Sequence, residues 1–412
     1  MRAELISVGT ELLLGQITDT NAVYLARLLA SHGVDLLHKQ TVGDNLERIQ
    51  AAVRLALSRA DLVITTGGLG PTEDDLTAEA VAAALGVPLA HDEQVAGSIA
   101  AFFAQRRREP PPSVFRQAKI PQGARVIPNR RGTAPGLMVP ADGRTIFMFP
   151  GVPHEMEGLV AEGLIPWLTG RAGGVVIRSR VLRIAGLGES VVEERVRALI
   201  HGTNPTVAPL AKLGEVHLRI TAKGAPDAVG VMLDGVEAAL RDRLGEAVFG
   251  LDDETLQSAT ARLLVERART LAVAESCTAG LIASRLAERP GASAFFLAGY
   301  LPYSDEAKIR DLEVPPALLA SHGAVSAPVA VAMAEGARRR AGADLGLAVT
   351  GIAGPAGGTA EKPVGLVYIA LTSTGAPWVE EFRFGATLER GVIRHLAAQT
   401  ALNLLRLTLL RG

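Results

Sequence analysis

At 412 residues, 48% hydrophobic and 21% charged, the chain exceeds one ordinary domain and can build two or three separate cores. A formal net charge of -1 excludes a protein that grips nucleic acid through a broad basic coat. No apolar run approaches the ~20 residues that span a bilayer, the amino terminus lacks signal-peptide features, and the single cysteine, Cys277, can form neither an internal disulfide nor a structural zinc cluster. The expectation is a cytoplasmic protein with no nucleic-acid or membrane partner.

In chain order, RAELISVG reads as a buried strand and TNAVYLARLLASHG as an amphipathic helix ended by Gly33. VDLLHKQTVG is a second strand, after which Asp44 and Glu47 make a capping-box-like start to the helix NLERIQAAVRLALSRA. The apolar run DLVITTGG and the helix DDLTAEAVAAALG follow, and this alternation predicts a mostly parallel sheet with helices on both faces. EPPPSVFRQAKIPQGARVIPNRRG, rich in proline and arginine, reads as an irregular loop. TIFMFPGVPHEMEGLVAEGLIPWL gives another strand, a Pro–Gly turn and a helix. This first α/β domain is placed over 1–170. A small α+β, KH-like module is placed over 171–250, with a strand, a helix, a hairpin from TVAPLAKLG and EVHLRITAKG, and a second helix. Its GLGE turn lacks the basic GXXG of a nucleic-acid-reading KH module, which favours a spacer or dimerisation role. A second α/β domain, placed over 251–412, alternates TLAVAE with SCTAGLIASRLAER, FFLAGYLPYS with DEAKIRDL, and DLGLAVTGIAGP with a glycine-rich loop. Further strands and a helix from Glu389 to Leu410 close it.

The first candidate site is TTGGLGPTEDDLT, Thr65 to Thr77. A glycine turn between a buried strand and a helix lies where open α/β sheets bind ligands, and Gly67, Gly68 and Gly70 permit close backbone approach to phosphate. Asp74 and Asp75 beside a phosphate make sense with a bridging divalent cation. Thr72 with Asp75 also fits a capping box, so site and cap both stand as readings. Neither Walker A nor GxGxxG is present.

GTELLLGQITDTN, TTGGLGPTEDDLT and FPGVPHEM together resemble the molybdopterin-binding domain of cofactor-biosynthesis proteins, and in order and wording the amino-terminal half of the CinA, competence/damage-inducible, family. The resemblance implies a metal-dependent ADP-ribose pyrophosphatase using Mg²⁺, Mn²⁺ or Co²⁺, or alternatively a non-catalytic pterin- or nucleotide-binding module. Carried over by motif, Asn21, Gly67, Gly68, Gly70, Thr72, Pro150 and Gly151 line the pocket, Asp75 carries metal or phosphate chemistry, and Asp74 is a second metal ligand.

The second candidate site surrounds AESCTAG, Ala274 to Gly280. A reactive cysteine needs a histidine or a strongly cationic neighbourhood, and the only histidines in this region are His322 and His395. Ser276 can instead use a lysine base. In YSDEAKIRDL, Ser304 is the N-cap, and Tyr303 and Lys308 occupy the two staple positions, so their side chains are expected to face each other. A lysine desolvated there would serve as a base; a solvated surface lysine is the plainer reading. VTGIAGPAGGTAEKPVG offers backbone donors at Gly351 and Gly354, with Lys362 adding charge.

ESCTAG, GAS, YSDEAK, HGAVS, VTGIAGPAGG and EKPVG, in that order, resemble the carboxyl-terminal domain of the same family, known alone as nicotinamide-nucleotide amidohydrolase. The resemblance implies hydrolysis of nicotinamide mononucleotide to nicotinate mononucleotide and ammonia, without a cofactor. It makes Ser276 the nucleophile and Lys308 with Tyr303 the proton-transfer pair. Ser293, Thr350 and the backbone of Gly351, Ala353 and Gly354 would bind or orient substrate, and Arg390 would meet its phosphate. Ala279 and Ala292 stand where the family commonly has Gly and Ser, changes expected to matter little for bulk. A homodimer is expected from the resemblance and the small middle module.

Overall fold

A computed structural model describes residues 1–171 and 174–411. The boundary expected at 170–171 abuts residues 172 and 173, which lie outside the described residues. The chain divides into two compact units, Met1–Arg178 with Ala222–Met232, and Ser179–Thr221 with Leu233–Gly412. Residues of the middle module are thus apportioned between the two units.

In the first unit, strands β1 (Arg2–Val8), β2 (Asp35–Val42), β3 (Leu62–Thr66), β4 (Arg125–Ile127), β5 (Gly136–Ala141) and β6 (Arg144–Phe149) form one sheet in the order β2-β1-β3-β6-β5-β4. β2, β1, β3 and β6 are parallel, while β5 and β4 are added antiparallel. Successive residues of the central strands feed opposite faces. Leu5, Ile64, Phe147 and Phe149 pack with Leu25 and Leu29 of helix α1 (Thr20–Ser31). Ile6, Val63, Ile146 and Met148 pack with Ile49, Val53 and Ala56 of helix α2 (Leu46–Arg59). Burial on both faces is why these strands read as continuous apolar runs. Glu4 in β1 is fully buried, and its carboxylate accepts two hydrogen bonds from Arg59 at 2.8 Å and one from Gln40 at 2.5 Å. A buried charge persists only when paired in this way.

Two local expectations change here. The N-cap of α2 is Asn45, whose side chain accepts from Arg48 N; Asp44 turns away and accepts from Thr10 N and Oγ1 at 2.8 Å. The proline-rich stretch is ordered: a 3₁₀ helix, Pro112–Ala118, and a short strand, Lys119–Pro121, precede β4. Proline at the first position of a helical turn costs no hydrogen bond, and Val114, Ala118 and Ile120 are buried.

The middle α+β layer consists of β7 (Val176–Ile184), β8 (Thr206–Lys212), β9 (Glu215–Gly224) and β10 (Val248–Leu251), in the order β8-β9-β7-β10, with helices Glu189–Ile200 and Pro226–Leu244.

The carboxyl-terminal sheet has the order β12-β11-β13-β14-β15, with β11 (Leu271–Glu275), β12 (Phe296–Tyr300), β13 (Leu345–Gly351), β14 (Leu366–Thr372) and β15 (Trp378–Arg383). β11, β12 and β13 are parallel and the last two strands antiparallel. Leu271, Val273, Leu347 and Val349 face helices α3 (Leu256–Glu266), α4 (Leu281–Ala287) and α7 (Arg390–Arg411). The alternate small residues Ala272, Ala274 and Ala348 face α6 (Ala327–Ala341), while α5 (Asp305–Leu312) follows β12.

After β11 the chain does not enter a helix at once. Residues 276–280 form a turn, and α4 begins at Leu281. Ser276 N donates to Val349 O at 2.9 Å, and the fully buried Glu275 carboxylate accepts from Ile282 N at 3.1 Å and Ala283 N at 2.8 Å. Ala279 has φ +49° and Gly280 φ +87°. The alanine at 279, harmless by bulk, therefore sits in the left-handed region where a Cβ is strained. Ala279→Gly is expected to raise stability by about 0.5–1 kcal/mol, the relief of strain exceeding glycine's extra unfolded-state entropy. The urea unfolding midpoint measures this; a lower midpoint would show that the Ala279 methyl contributes packing that outweighs the strain.

Candidate functional site

The first unit gathers its motifs at the carboxyl ends of β1, β3 and β6, the expected place in an open α/β sheet. Gly67, Gly68, Gly70, Thr72, Asp74, Asp75, Pro150 and Gly151 line one cleft of about 440 Å³, with Glu11, Asp44 and Glu155 also on its walls. A Cβ on Gly67, at φ +94°, would stand 2.1 Å from the backbone Val8 O, so only glycine fits there, while one on Gly70 would stand 2.4 Å from Asp75 Oδ2 and displace that carboxylate. Asn21 anchors the far side: its Nδ2 donates to Gly151 O at 2.8 Å.

Asp75 Oδ2 accepts from Thr72 N at 2.9 Å and Thr72 Oγ1 at 2.5 Å. The helix itself starts only at Thr77. The Thr72–Asp75 pair thus closes the glycine turn ahead of the helix and holds the carboxylate in the cleft. Among the described residues, no three His, Cys, Asp or Glu side chains cluster tightly enough to hold a metal ion. Five carboxylates, those of Glu11, Asp44, Asp74, Asp75 and Glu155, are spread over the cleft walls, so an ion there would need further ligands such as phosphate oxygens, as Mg²⁺ does.

In the second unit, parallel pairing brings the carboxyl ends of β11, β12 and β13 to one end of the sheet, which places Ser276, the Tyr303–Lys308 segment and Thr350–Gly354 on that same side. Lys308 is only 1% exposed. Its Nζ donates to Pro302 O at 3.1 Å and Tyr303 O at 3.4 Å, and Asp305 Oδ1 lies 3.9 Å away. Burial pushes the Lys308 ammonium below its ordinary pKa, against the opposing pull of Asp305. Cys277 lies within electrostatic reach of this amine. The thiol is buried in the apolar core, and burial pushes its pKa up to about 12. It is therefore a packed, protonated group and a poor nucleophile near neutral pH.

Ser304 caps α5 as expected, its Oγ accepting from Ala307 N at 3.2 Å. The expected meeting of the Tyr303 ring with Lys308 does not occur. Tyr303 is exposed, and its hydroxyl accepts from Arg390 Nη2 at 2.8 Å; the protein interior, not the ring, desolvates the lysine. Arg390 also donates through Nη1 to Gly354 O at 2.8 Å, joining the tyrosine to the glycine loop. Thr350 is buried with Oγ1 on Ala324 O at 2.9 Å. Gly351, Ala353 and Gly354 continue the same turn, Ala353 being buried. Lys362 is not a loose loop charge: its Nζ donates to His322 O at 2.6 Å and Val325 O at 2.8 Å.

One further expectation is corrected. Ser293 precedes β12, whose first residue Phe296 pairs with Leu271 at the start of β11. Within one chain Ser293 therefore lies at the opposite end of the sheet from Ser276. The N–H groups at the start of α4 are in part taken: those of Ile282 and Ala283 serve Glu275.

Three contributors escaped the sequence. Glu275 ends a fully buried strand, and a carboxylate there had to find partners. Arg394 reaches back with Nε on Cys277 O at 3.1 Å and Nη2 on Thr278 O at 2.8 Å; its spacing of four from Arg390 puts both on one helix face. Gln117, in the stretch read as loop, stands in the first cleft with Nε2 on Leu69 O at 2.9 Å.

Residues 4–170 match a probable molybdopterin binding domain, 179–250 the damage-inducible protein CinA KH domain, and 253–409 the CinA C-terminal domain. The chain is 49% identical over 407 residues to a putative competence-damage inducible protein of Moorella thermoacetica, covering 98% of each chain. It is 47% identical over 407 residues to a CinA-like protein of Gloeobacter violaceus, covering 98% of this chain and 96% of that one. Among solved structures, a CinA protein of unknown function from Thermoplasma acidophilum is 38% identical, with a TM-score of 0.39, covering 41% of this chain and 99% of that chain. With relatives matched along nearly its whole length and all three family domains in register, the chain belongs to the CinA, competence/damage-inducible protein, family.

Proposed function

We propose that the carboxyl-terminal site hydrolyses a primary amide, that of nicotinamide mononucleotide, by acyl transfer through Ser276. The observation that carries this reading is a fully buried lysine with a lowered pKa at the same end of the sheet as Ser276, beside a cysteine that burial disarms. Neutral Lys308 takes the Ser276 hydroxyl proton as Oγ bonds to the amide carbon, Tyr303 being held aside by Arg390. The C–N bond then breaks, and the proton held by lysine passes to the departing ammonia. Water frees the carboxylic acid and restores the serine. With the start of α4 partly committed to Glu275 and Ile352 N–H bound to Leu366 O, the N–H groups of Ala353 and Gly354 are the donors proposed for the oxyanion. Arg390 would meet the phosphate while still orienting Tyr303.

Ser276→Ala is expected to lower deamidation of nicotinamide mononucleotide by at least about 10³-fold, while Cys277→Ala leaves the rate within a few fold. Ammonia release measures both, and an active serine variant would end the assignment. A neutral lysine base makes the rate rise with pH, with a midpoint below the ordinary lysine value of 10.5. Between the lowered folded pKa and the unfolded one, the unfolded chain binds more protons, so stability also rises with pH across that window. Lys308→Met is expected to abolish the reaction and flatten this part of the stability profile, which thermal melts at several pH values would reveal. An unchanged profile would show that Lys308 titrates normally.

For the amino-terminal cleft we infer metal-dependent hydrolysis of the pyrophosphate of ADP-ribose. Asp74 and Asp75 would hold a divalent ion, which when bound would neutralise phosphate charge. The glycine turn would present its backbone to the phosphates, and Asn21 would keep the Pro150–Gly151 wall in place. A second reading, a binding module without turnover, is favoured by the engagement of Asp75 with Thr72. Metal-stimulated release of AMP from ADP-ribose, reduced at least about 10²-fold by Asp75→Ala, is the expected result. Metal-independent ligand binding with no AMP release would establish the second reading.

A further inference from the structure

Gln117 has a hydrogen-bonding capacity that the protein leaves half used. Its residue is 8% exposed, and it lines the first unit's cleft beside the glycine turn. Nε2 donates to Leu69 O. Because a backbone carbonyl can only accept, this bond fixes which end of the amide is which. Oε1 then faces away from Leu69, buried and with no hydrogen-bond partner among the described residues. Burying an amide oxygen without a donor is costly, and such an atom in a cleft wall calls for a ligand that brings the donor.

The chemistry of that ligand group follows from position. An amide oxygen repels phosphate and must meet an O–H or N–H. Gln117 is tethered to Leu69, inside the turn whose backbone would receive the phosphates, so the donor must lie one short step from a phosphate. In a nucleotide that step leads to the ribose hydroxyls; the base edge lies farther out. We propose that Gln117 Oε1 accepts a hydrogen bond from a sugar hydroxyl, making the cleft selective for ribose-bearing over deoxyribose-bearing diphosphates. This rests on the nucleotide reading of the cleft and adds to it a residue that reads the sugar.

The test measures binding by calorimetry with the full chain and Mn²⁺, using ADP, its 2′-deoxy and 3′-deoxy forms, and IDP, which lacks the exocyclic amine. The wild type should bind ADP about tenfold more tightly than one of the deoxy forms, the worth of one satisfied buried hydrogen bond. Gln117→Met, close in size but without the amide, should erase that gap while binding the deoxy ligand as the wild type does. If the Met variant fails to fold, Gln117→Asn, one methylene shorter, must erase it instead. A gap retained in the variant, or no gap in the wild type, overturns the inference and leaves the nucleotide reading standing. A gap against IDP that the variant erases would move the contact to the base and overturn the sugar assignment. No ADP binding by the wild type would overturn both readings together.

Discussion

The carboxyl-terminal site depends on one buried carboxylate. Glu275 ends a central strand with no solvent to receive its charge, and it is held by the N–H groups of Ile282 and Ala283. That contact ties the end of β11 to the start of α4 across a turn of five residues, 276–280. The turn is thereby clamped from the strand side, and Arg394 clamps it from the helix side through the carbonyls of Cys277 and Thr278. Ser276 belongs to a segment with little freedom to move, the support that the nucleophile proposed above would require.

The same logic explains how α7 serves the site. Arg390 and Arg394 stand four residues apart on one face. One holds the turn of the serine; the other holds Tyr303 and Gly354. Lys362 and Thr350 perform comparable work on the glycine loop and the segment around Ala324. The cations surrounding the site thus all donate to backbone carbonyls, and Lys308 differs from them in being a buried amine whose burial lowers its pKa. In the amino-terminal cleft, side-chain amides do the structural work. Asn21 and Gln117 each spend their NH₂ group on a loop carbonyl, and among the described residues neither oxygen has a partner.

The alternation of strands and helices was legible because fully buried parallel strands must be apolar throughout and their covering helices amphipathic. The antiparallel edges were less so. GLMVPADGRTIFMF forms a hairpin around Asp142 and Gly143, both with positive φ, within a domain otherwise dominated by parallel crossovers. The segment PPPSVFRQAKIP reads as loop because its prolines dominate, yet Val114, Ala118 and Ile120 bury their side chains and order it.

Sequence alone determined which residue types sit at the strand ends: the glycine turn with Thr72 and Asp75, Ser276 beside Cys277, and Ser304 capping the segment that carries Lys308. Local spacing suffices there, because caps and turns are short-range. Tertiary structure decided what those residues can do. Spacing put Tyr303 and Lys308 face to face, but packing buried the lysine and sent the tyrosine hydroxyl to Arg390, 87 residues away. Parallel strand pairing carried Ser293 to the far end of the sheet from Ser276. Burial, a property of the whole fold, is what lowers the amine's pKa and raises the thiol's, and no window of sequence contains it.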